Sequence, residues 1–165
     1  MIIKNIAKDN KYFDKGTMYC PMFGKEIEVS IENETEVGFD LTPYAEKCAA
    51  HLTNLSDEFI DKICERVSAY HQYMLEEWNE EFVKEINEKV PPTVSGRAIL
   101  DYITEPRLVV ECAKGDGIGY SINGYCEWEP EHGIEIIILD DKLLYVGMTD
   151  CLGAWASDDE YEVEY

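Results

Sequence analysis

The stretch Ile134-Glu135-Ile136-Ile137-Ile138-Leu139-Asp140-Asp141-Lys142-Leu143-Leu144-Tyr145-Val146-Gly147 decides the fold class. It reads as two strands, Ile134 to Leu139 and Leu143 to Gly147, with Asp140-Asp141 as the hairpin turn between them. The unbroken apolar run from Ile136 to Leu139 predicts a strand covered on both faces over most of its length. A sheet with one pair of strands joined this tightly is antiparallel there.

The same β-rich character extends upstream to Pro106. Leu108 to Cys112 is a strand candidate. Gly117 to Trp128 reads either as one longer strand or as a tight hairpin around Asn123-Gly124, a dipeptide that strongly favours a two-residue primed turn. Near the N-terminus, Ile27, Val29 and Ile31 alternate with Glu28, Ser30 and Glu32. That period of two predicts a strand over Glu26 to Glu32 with one apolar face. Gly24 offers a turn before it, Asn33 to Glu36 a turn after it, and Val37 to Leu41 a short returning strand.

Between the two β regions the period changes. Thr42 is an expected N-cap with Pro43 at the first helical position. Tyr44, Cys48 and Leu52 then share a face. Ser56 caps a second helix, whose stripe runs through Phe59, Ile60, Ile63, Val67, Tyr70, Met74, Trp78, Phe82 and Ile86 at spacings of three and four. Pro91-Pro92 ends it, and Ser95 caps a short helix through Arg97, Leu100 and Ile103. The expectation is an α+β fold: a mostly antiparallel sheet packed against a central helical region with one long helix. Residues 1–165 form a single domain, divided into N-terminal strands (1–41), helices (42–103), a β-rich part (106–148) and an acidic, mobile tail (157–165). The expected core is Ile27, Val29, Ile31, Phe59, Ile63, Val67, Trp78, Val110, Trp128, Ile136, Ile138 and Val146.

Charge narrows the function. The chain has 165 residues, 35 acidic and 14 basic, for a net charge of −21. Phosphate backbones and anionic membrane surfaces require a basic footprint, so neither nucleic acid nor membrane is an expected partner. With 45% hydrophobic residues the chain is apolar enough to fold, so the acid is not a mark of disorder. The first fifteen residues lack the apolar core of a secretory signal, and no run is long enough to span a bilayer, which points to the cytoplasm. There the six cysteines (Cys20, Cys48, Cys64, Cys112, Cys126 and Cys151) read as reduced thiols. None forms a Cys-x-x-Cys pair, and no calcium loop or His-Glu-x-x-His helix is present, so neither a metal nor a cofactor is expected. His51 and His71 read as ordinary surface or boundary histidines. Gly117-x-Gly119-x-x-Ile122 fails the spacing of a dinucleotide loop.

One segment concentrates chemistry: Cys126-Glu127-Trp128-Glu129-Pro130-Glu131-His132-Gly133. Carboxylates beside an imidazole favour its charged form, so His132 with Glu129 or Glu131 is a candidate acid–base pair. The plainer reading is a turn, with Gly133 at positive φ, Pro130 stiffening the loop and Trp128 anchoring it. On either reading, Trp128, Glu129, Glu131, His132 and Gly133 are the expected binding or site residues, and His132, Glu129 and Glu131 the candidate catalytic ones.

The Trp-acid-x-Glu-His-Gly pattern of this segment, followed by Ile134-Glu135-Ile136-Ile137 and Leu144-Tyr145-Val146-Gly147, resembles a bacterial family of uncharacterised domains. Met22-Phe23-Gly24 before the Ile27-Val29-Ile31 strand, and the helical Ala69-Tyr70-His71, are similar to that family too. The resemblance implies a cytoplasmic α+β protein without assigned catalysis, loosely similar to small acidic immunity-type proteins. Three functions follow as expectations. The first is a non-enzymatic protein-binding module for a basic partner. The second is a small hydrolase or lyase using His132. The third is a nucleic-acid mimic that displays carboxylates at phosphate-like spacing.

Overall fold

The computed structural model describes residues 1–33 and 40–165. The described residues form a seven-stranded sheet in the order β1(Lys4–Lys8), β2(Phe13–Cys20), β3(Lys25–Glu32), β4(Thr104–Val110), β5(Gly119–Tyr125), β6(Ile134–Leu139) and β7(Lys142–Gly147). Every strand therefore lies beside its neighbours in sequence. All pairs are antiparallel except β3 with β4, which are parallel. A parallel pair requires a long crossover. The central helices supply it: α1(Thr42–Thr53), α2(Asp57–Glu77), α3(Glu80–Lys89) and a 3-10 segment, Gly96–Tyr102. The α+β expectation holds, and α2 is its long helix.

The helices cover one face of the sheet. Ile27, Val29, Ile31, Leu108, Val110, Ile122, Ile136, Ile138 and Val146 point into a core shared with Ala45, Cys48, Leu52, Ile63, Val67 and Tyr70. Phe59 and Trp78, both expected in the core, are half-buried at its margin. The opposite face is divided. Over β6 and β7 it is covered by the C-terminal segment, where Ile137 and Tyr145 pack with Leu152, Ala154, Trp155 and Tyr161. Over β2 to β5 it is open and polar. The two-sided cover expected for Ile134 to Leu139 is thus made of helices on one side and this segment on the other.

Several boundaries differ from the sequence reading. The stripe from Ser56 to Ile86 is not one helix. It breaks at Trp78, which is extended, and Asn79 caps α3 by accepting the Phe82 N–H at 3.0 Å. A continuous helix would stack Glu77 on Glu81, whereas a new N-terminus places Glu80 and Glu81 where the helix dipole favours acid. Asn123-Gly124 is not a hairpin; both residues lie inside β5. Gly124 is needed there because a side chain would press on Ile103 Cγ2 at 2.7 Å. Strands β1 and β2 lie in the part expected to hold N-terminal strands (1–41), but no strand was expected at either position. Thr42 is the first helical residue rather than the cap, and its N–H goes to Asp40 Oδ1 at 2.9 Å. Ser95 precedes a 3-10 segment and makes no side-chain cap. The expected turn at Asn33 to Glu36 and strand at Val37 to Leu41 fall largely outside the described residues.

The tail is also corrected. Rather than a solvated end, residues 158–161 form a 3-10 turn with Tyr161 buried against Ile137 and Tyr145. Tyr165 donates its hydroxyl to the Val146 carbonyl at 2.9 Å and stacks on Tyr70. Tyr161 and Tyr165, four positions apart, give an acidic tail two apolar anchors, which a charge count does not register.

Candidate functional site

The segment Cys126 to Gly133 links β5 to β6. Within it the buried Glu129, 5% exposed, acts as the hub. Its Oε1 accepts the backbone N–H groups of Glu131 and His132, each at 3.2 Å, and lies 3.2 Å from His132 Nδ1. Its carbonyl accepts the Gly133 N–H at 2.8 Å and closes the turn. A carboxylate satisfied by neighbouring backbone donors is a local turn device. The imidazole completes the ring from outside, its side chain 51% exposed. Glu131 and Pro130 are exposed, and the Glu131 carboxylate makes no hydrogen bond or ion pair with the imidazole of His132. The structure therefore brings together Glu129 and His132 but leaves Glu131 apart. Gly133 has φ +68°, as the turn reading requires.

Trp128 is 0% exposed and ties the turn to the helices. Its carbonyl accepts the Trp78 indole N–H at 2.8 Å. Tyr70 donates to the Gly133 carbonyl at 3.2 Å. The rings of Tyr70 and His71 pack against the indole, at 6.4 and 5.0 Å between centroids. This packing explains why the α2–α3 break sits at Trp78. At Trp78 ψ is 153°, so the chain turns just after the indole and α3 starts in a new direction. Cys126 lies under the same turn, and burial pushes its thiol well above the ordinary range. It is a packing residue, not a thiolate nucleophile.

The other residues considered in the sequence have structural employment. His71 is fully buried rather than at the surface, and His51 is half-buried with Nδ1 2.8 Å from the Tyr120 hydroxyl. Gly117 and Gly119 serve Tyr44, whose hydroxyl lies 3.1 Å from both carbonyls and accepts the Gly119 N–H at 2.8 Å. Cys20, Cys48, Cys64, Cys126 and Cys151 are free thiols, with Cys151 exposed. Among the described residues no group of three metal-ligating side chains is placed to hold an ion, and no helix is long and apolar enough to cross a membrane.

A second candidate had no signal in the sequence. On the open sheet face lies a cleft of about 360 Å³, lined by β2 to β6, the 9–13 turn and Cys151. Ser30, Val109, Ser121 and Asn123 form its floor, with Arg107, Glu111 and Glu135 around them. Burial, and then the charges of Glu32 and Glu135, raise the Glu111 carboxyl above its ordinary range. Burial raises Glu135 as well, against the backbone N–H groups of residues 150–153 that favour its charged form. The lining comes from five strands and three connecting segments, and only the fold brings it together.

Outside the cleft, acid dominates the helical side. Glu76, Glu77, Glu80, Glu81, Glu85 and Glu88 are all exposed. The nearest bases are Lys84 and Lys89, and Lys89 is already paired with Glu127 at 2.6 Å.

The fold and this site define a class: an α+β domain in which a tryptophan-anchored turn locks a seven-stranded sheet to its helical layer. The chain belongs to the family of the domain of unknown function DUF6985, whose model matches residues 2–153. Neither a curated protein nor a solved structure matches it.

Proposed function

We propose that this chain is a non-enzymatic, cytoplasmic, immunity-like bacterial module that binds a basic protein partner. The observation that supports the reading is the set of six exposed glutamates between Glu76 and Glu88, among which Lys84 is the one base. Charge concentrated on one helical face accelerates encounter with a cationic surface and makes binding salt-sensitive. The exposed acidic end of α2 together with the exposed face of α3 is the docking surface in this reading. The test is a titration against the products of adjacent genes at about 50 and 300 mM salt, where surface electrostatics differ strongly. Binding should weaken at the higher salt. It should also weaken in the triple variant Glu77→Gln, Glu81→Gln, Glu85→Gln, and not in Glu26→Gln, Glu105→Gln. Absence of binding to any of these products, or equal binding by both variants, overturns it.

A second reading, a small hydrolase or lyase, rests on the 3.2 Å contact between His132 Nδ1 and Glu129 Oε1. A half-exposed imidazole on a carboxylate is the arrangement of a general acid–base pair. Against it, the same oxygen already accepts two backbone N–H groups. Ester and lyase substrates turned over by the wild type but not by His132→Gln would support it; no turnover would remove it.

A further inference from the structure

The open sheet face carries groups whose hydrogen-bonding capacity the fold does not use. Arg107 on β4 makes no hydrogen bond or ion pair with any described residue, although acidic side chains outnumber basic ones 35 to 14. Its cross-strand neighbours are Glu28 and Asn123. Glu28 is taken by Lys15 at 3.2 Å. Asn123 Oδ1 is buried and has no hydrogen-bond partner among the described residues. Glu111, just past the end of β4, is half-buried and its carboxylate accepts no hydrogen bond from them. Glu135, by contrast, is satisfied by the loop at 150–153. An unpaired cation, an orphaned amide oxygen and an unpaired carboxylate thus line one cleft of about 360 Å³.

The spacing selects the ligand. Arg107 and Glu111 are four residues apart on one strand line and face the same side. At ~3.3 Å per residue their Cα atoms are ~13 Å apart; side chains standing off the sheet keep the charged groups about that far apart, and a hydrogen bond of ~3 Å at each end leaves a gap of roughly 7 Å between a ligand's own termini. A single amino acid is too short to bridge that gap. An extended chain of two or three residues spans it at ~3.3–3.6 Å each. Val109 lies between the two charges and offers an apolar floor, flanked by Ser121 and by Ser30, whose hydroxyl donates to Glu28 at 3.4 Å. Desolvation and neighbouring carboxylates raise Glu111, and the opposite charge of a ligand ammonium works against that rise. A cleft of this size with a few convergent polar groups is the usual form of a small-ligand site.

We propose that this cleft binds a free di- or tripeptide, its terminal carboxylate on the Arg107 guanidinium and its terminal ammonium on Glu111, with the Asn123 side chain holding an amide between them. This site lies on the opposite face of the sheet from the acidic helices, so it stands or falls apart from the protein-binding reading.

The probe is trialanine, titrated into the full chain and followed by amide chemical shifts. Shifts should saturate and concentrate on β4, β5 and the 150–153 loop. N-acetyl-trialanine, trialanine amide and free alanine should each bind at least tenfold more weakly. Arg107→Gln and Glu111→Gln should each weaken trialanine at least tenfold; both positions are only half-buried, and a melting curve verifies folding. No saturable shift, equal binding of the end-blocked peptides, or binding unchanged by both substitutions overturns the proposal. The end-blocked comparison uses only the wild-type chain, so the test survives a variant that fails to fold.

Discussion

His71 and Trp128 pack with their rings 5.0 Å apart, both fully buried, and neither the two imidazole nitrogens nor the indole N–H has a hydrogen-bond partner among the described residues. Burial lowers the tendency of His71 to take a proton. The unfolded chain therefore protonates His71 first as pH falls below about 6.5, the ordinary histidine value. Stability from this residue is present in full above that pH and is lost as pH falls toward the folded-state value. The slope is at most about 1.4 kcal/mol per pH unit. His71→Leu should be as stable as the wild type or more so at pH 7.5, since it removes orphaned polar atoms. It should also flatten the acid limb of urea-derived stability between pH 6.5 and 5. An unchanged acid limb in the variant would refute the assignment.

Glu111 acts in the opposite direction. Its carboxyl is raised in the folded state, so its contribution is fully present below the ordinary carboxyl pKa and is lost as pH rises through the folded value. Near neutral pH the buried charge costs stability. Glu111→Gln should raise the melting temperature at pH 7 by about 2–4 °C for each kcal/mol relieved, and by nothing at pH 4. Melting curves of the two proteins at both pH values decide it. Because Glu111 and His71 oppose each other, only variant-minus-parent differences isolate either one.

These two residues also mark what a sequence can and cannot disclose. Regular periods were legible: the alternation at Glu26 to Glu32 and the apolar run at Ile136 to Leu139 became β3 and β6. So was the turn at Gly133, because positive φ is a chemical demand on one residue. Competing local signals were not. Asn123-Gly124 has a strong turn preference, and pairing on both sides with β4 and β6 overrides it. The helical stripe ran unbroken through Trp78, and only the distant Trp128 carbonyl shows why the chain breaks there. β1 and β2 escaped notice because exposed charges and a central Gly16 disguise their alternation. The sheet-face cleft was invisible, since Arg107, Glu111, Asn123 and Cys151 meet only through register and through a loop folded over the sheet.

Gly133 should be among the least replaceable positions. A side chain there would enter the left-handed region, which costs roughly 1–2 kcal/mol. It would also collide with the Gly124 carbonyl oxygen. Gly133→Ala should therefore lower stability by at least about 2–3 kcal/mol, with a loss near that of a core truncation. Trp78→Phe, which removes one hydrogen bond to the Trp128 carbonyl and little volume, should cost about 1 kcal/mol. If the two variants unfold at the same denaturant concentration, the turn is not the lock between sheet and helices described here.

One hydroxyl fastens residues 153–156 of the covering segment. Tyr161 donates to the Gly153 carbonyl at 2.8 Å and accepts the Ala156 N–H at 2.9 Å. Gly153 is at φ +65°, and the Glu111 carboxylate packs where its side chain would be. The same loop directs its N–H groups at Glu135. Tyr161→Phe keeps the ring but leaves the loop without its anchor, at a cost of about 1–2 kcal/mol. The consequence extends to a residue Tyr161 does not touch. Backbone N–H groups favour the charged form of Glu135, so loosening them should raise its carboxyl further above the ordinary range. A carbon-detected NMR titration of Glu135 in both proteins reads this directly. An upward shift in Tyr161→Phe ties the tail to the electrostatics of the sheet-face cleft. An unchanged Glu135 titration would mean that the loop keeps its form without the hydroxyl, and that the tail merely covers Ile137 and Tyr145.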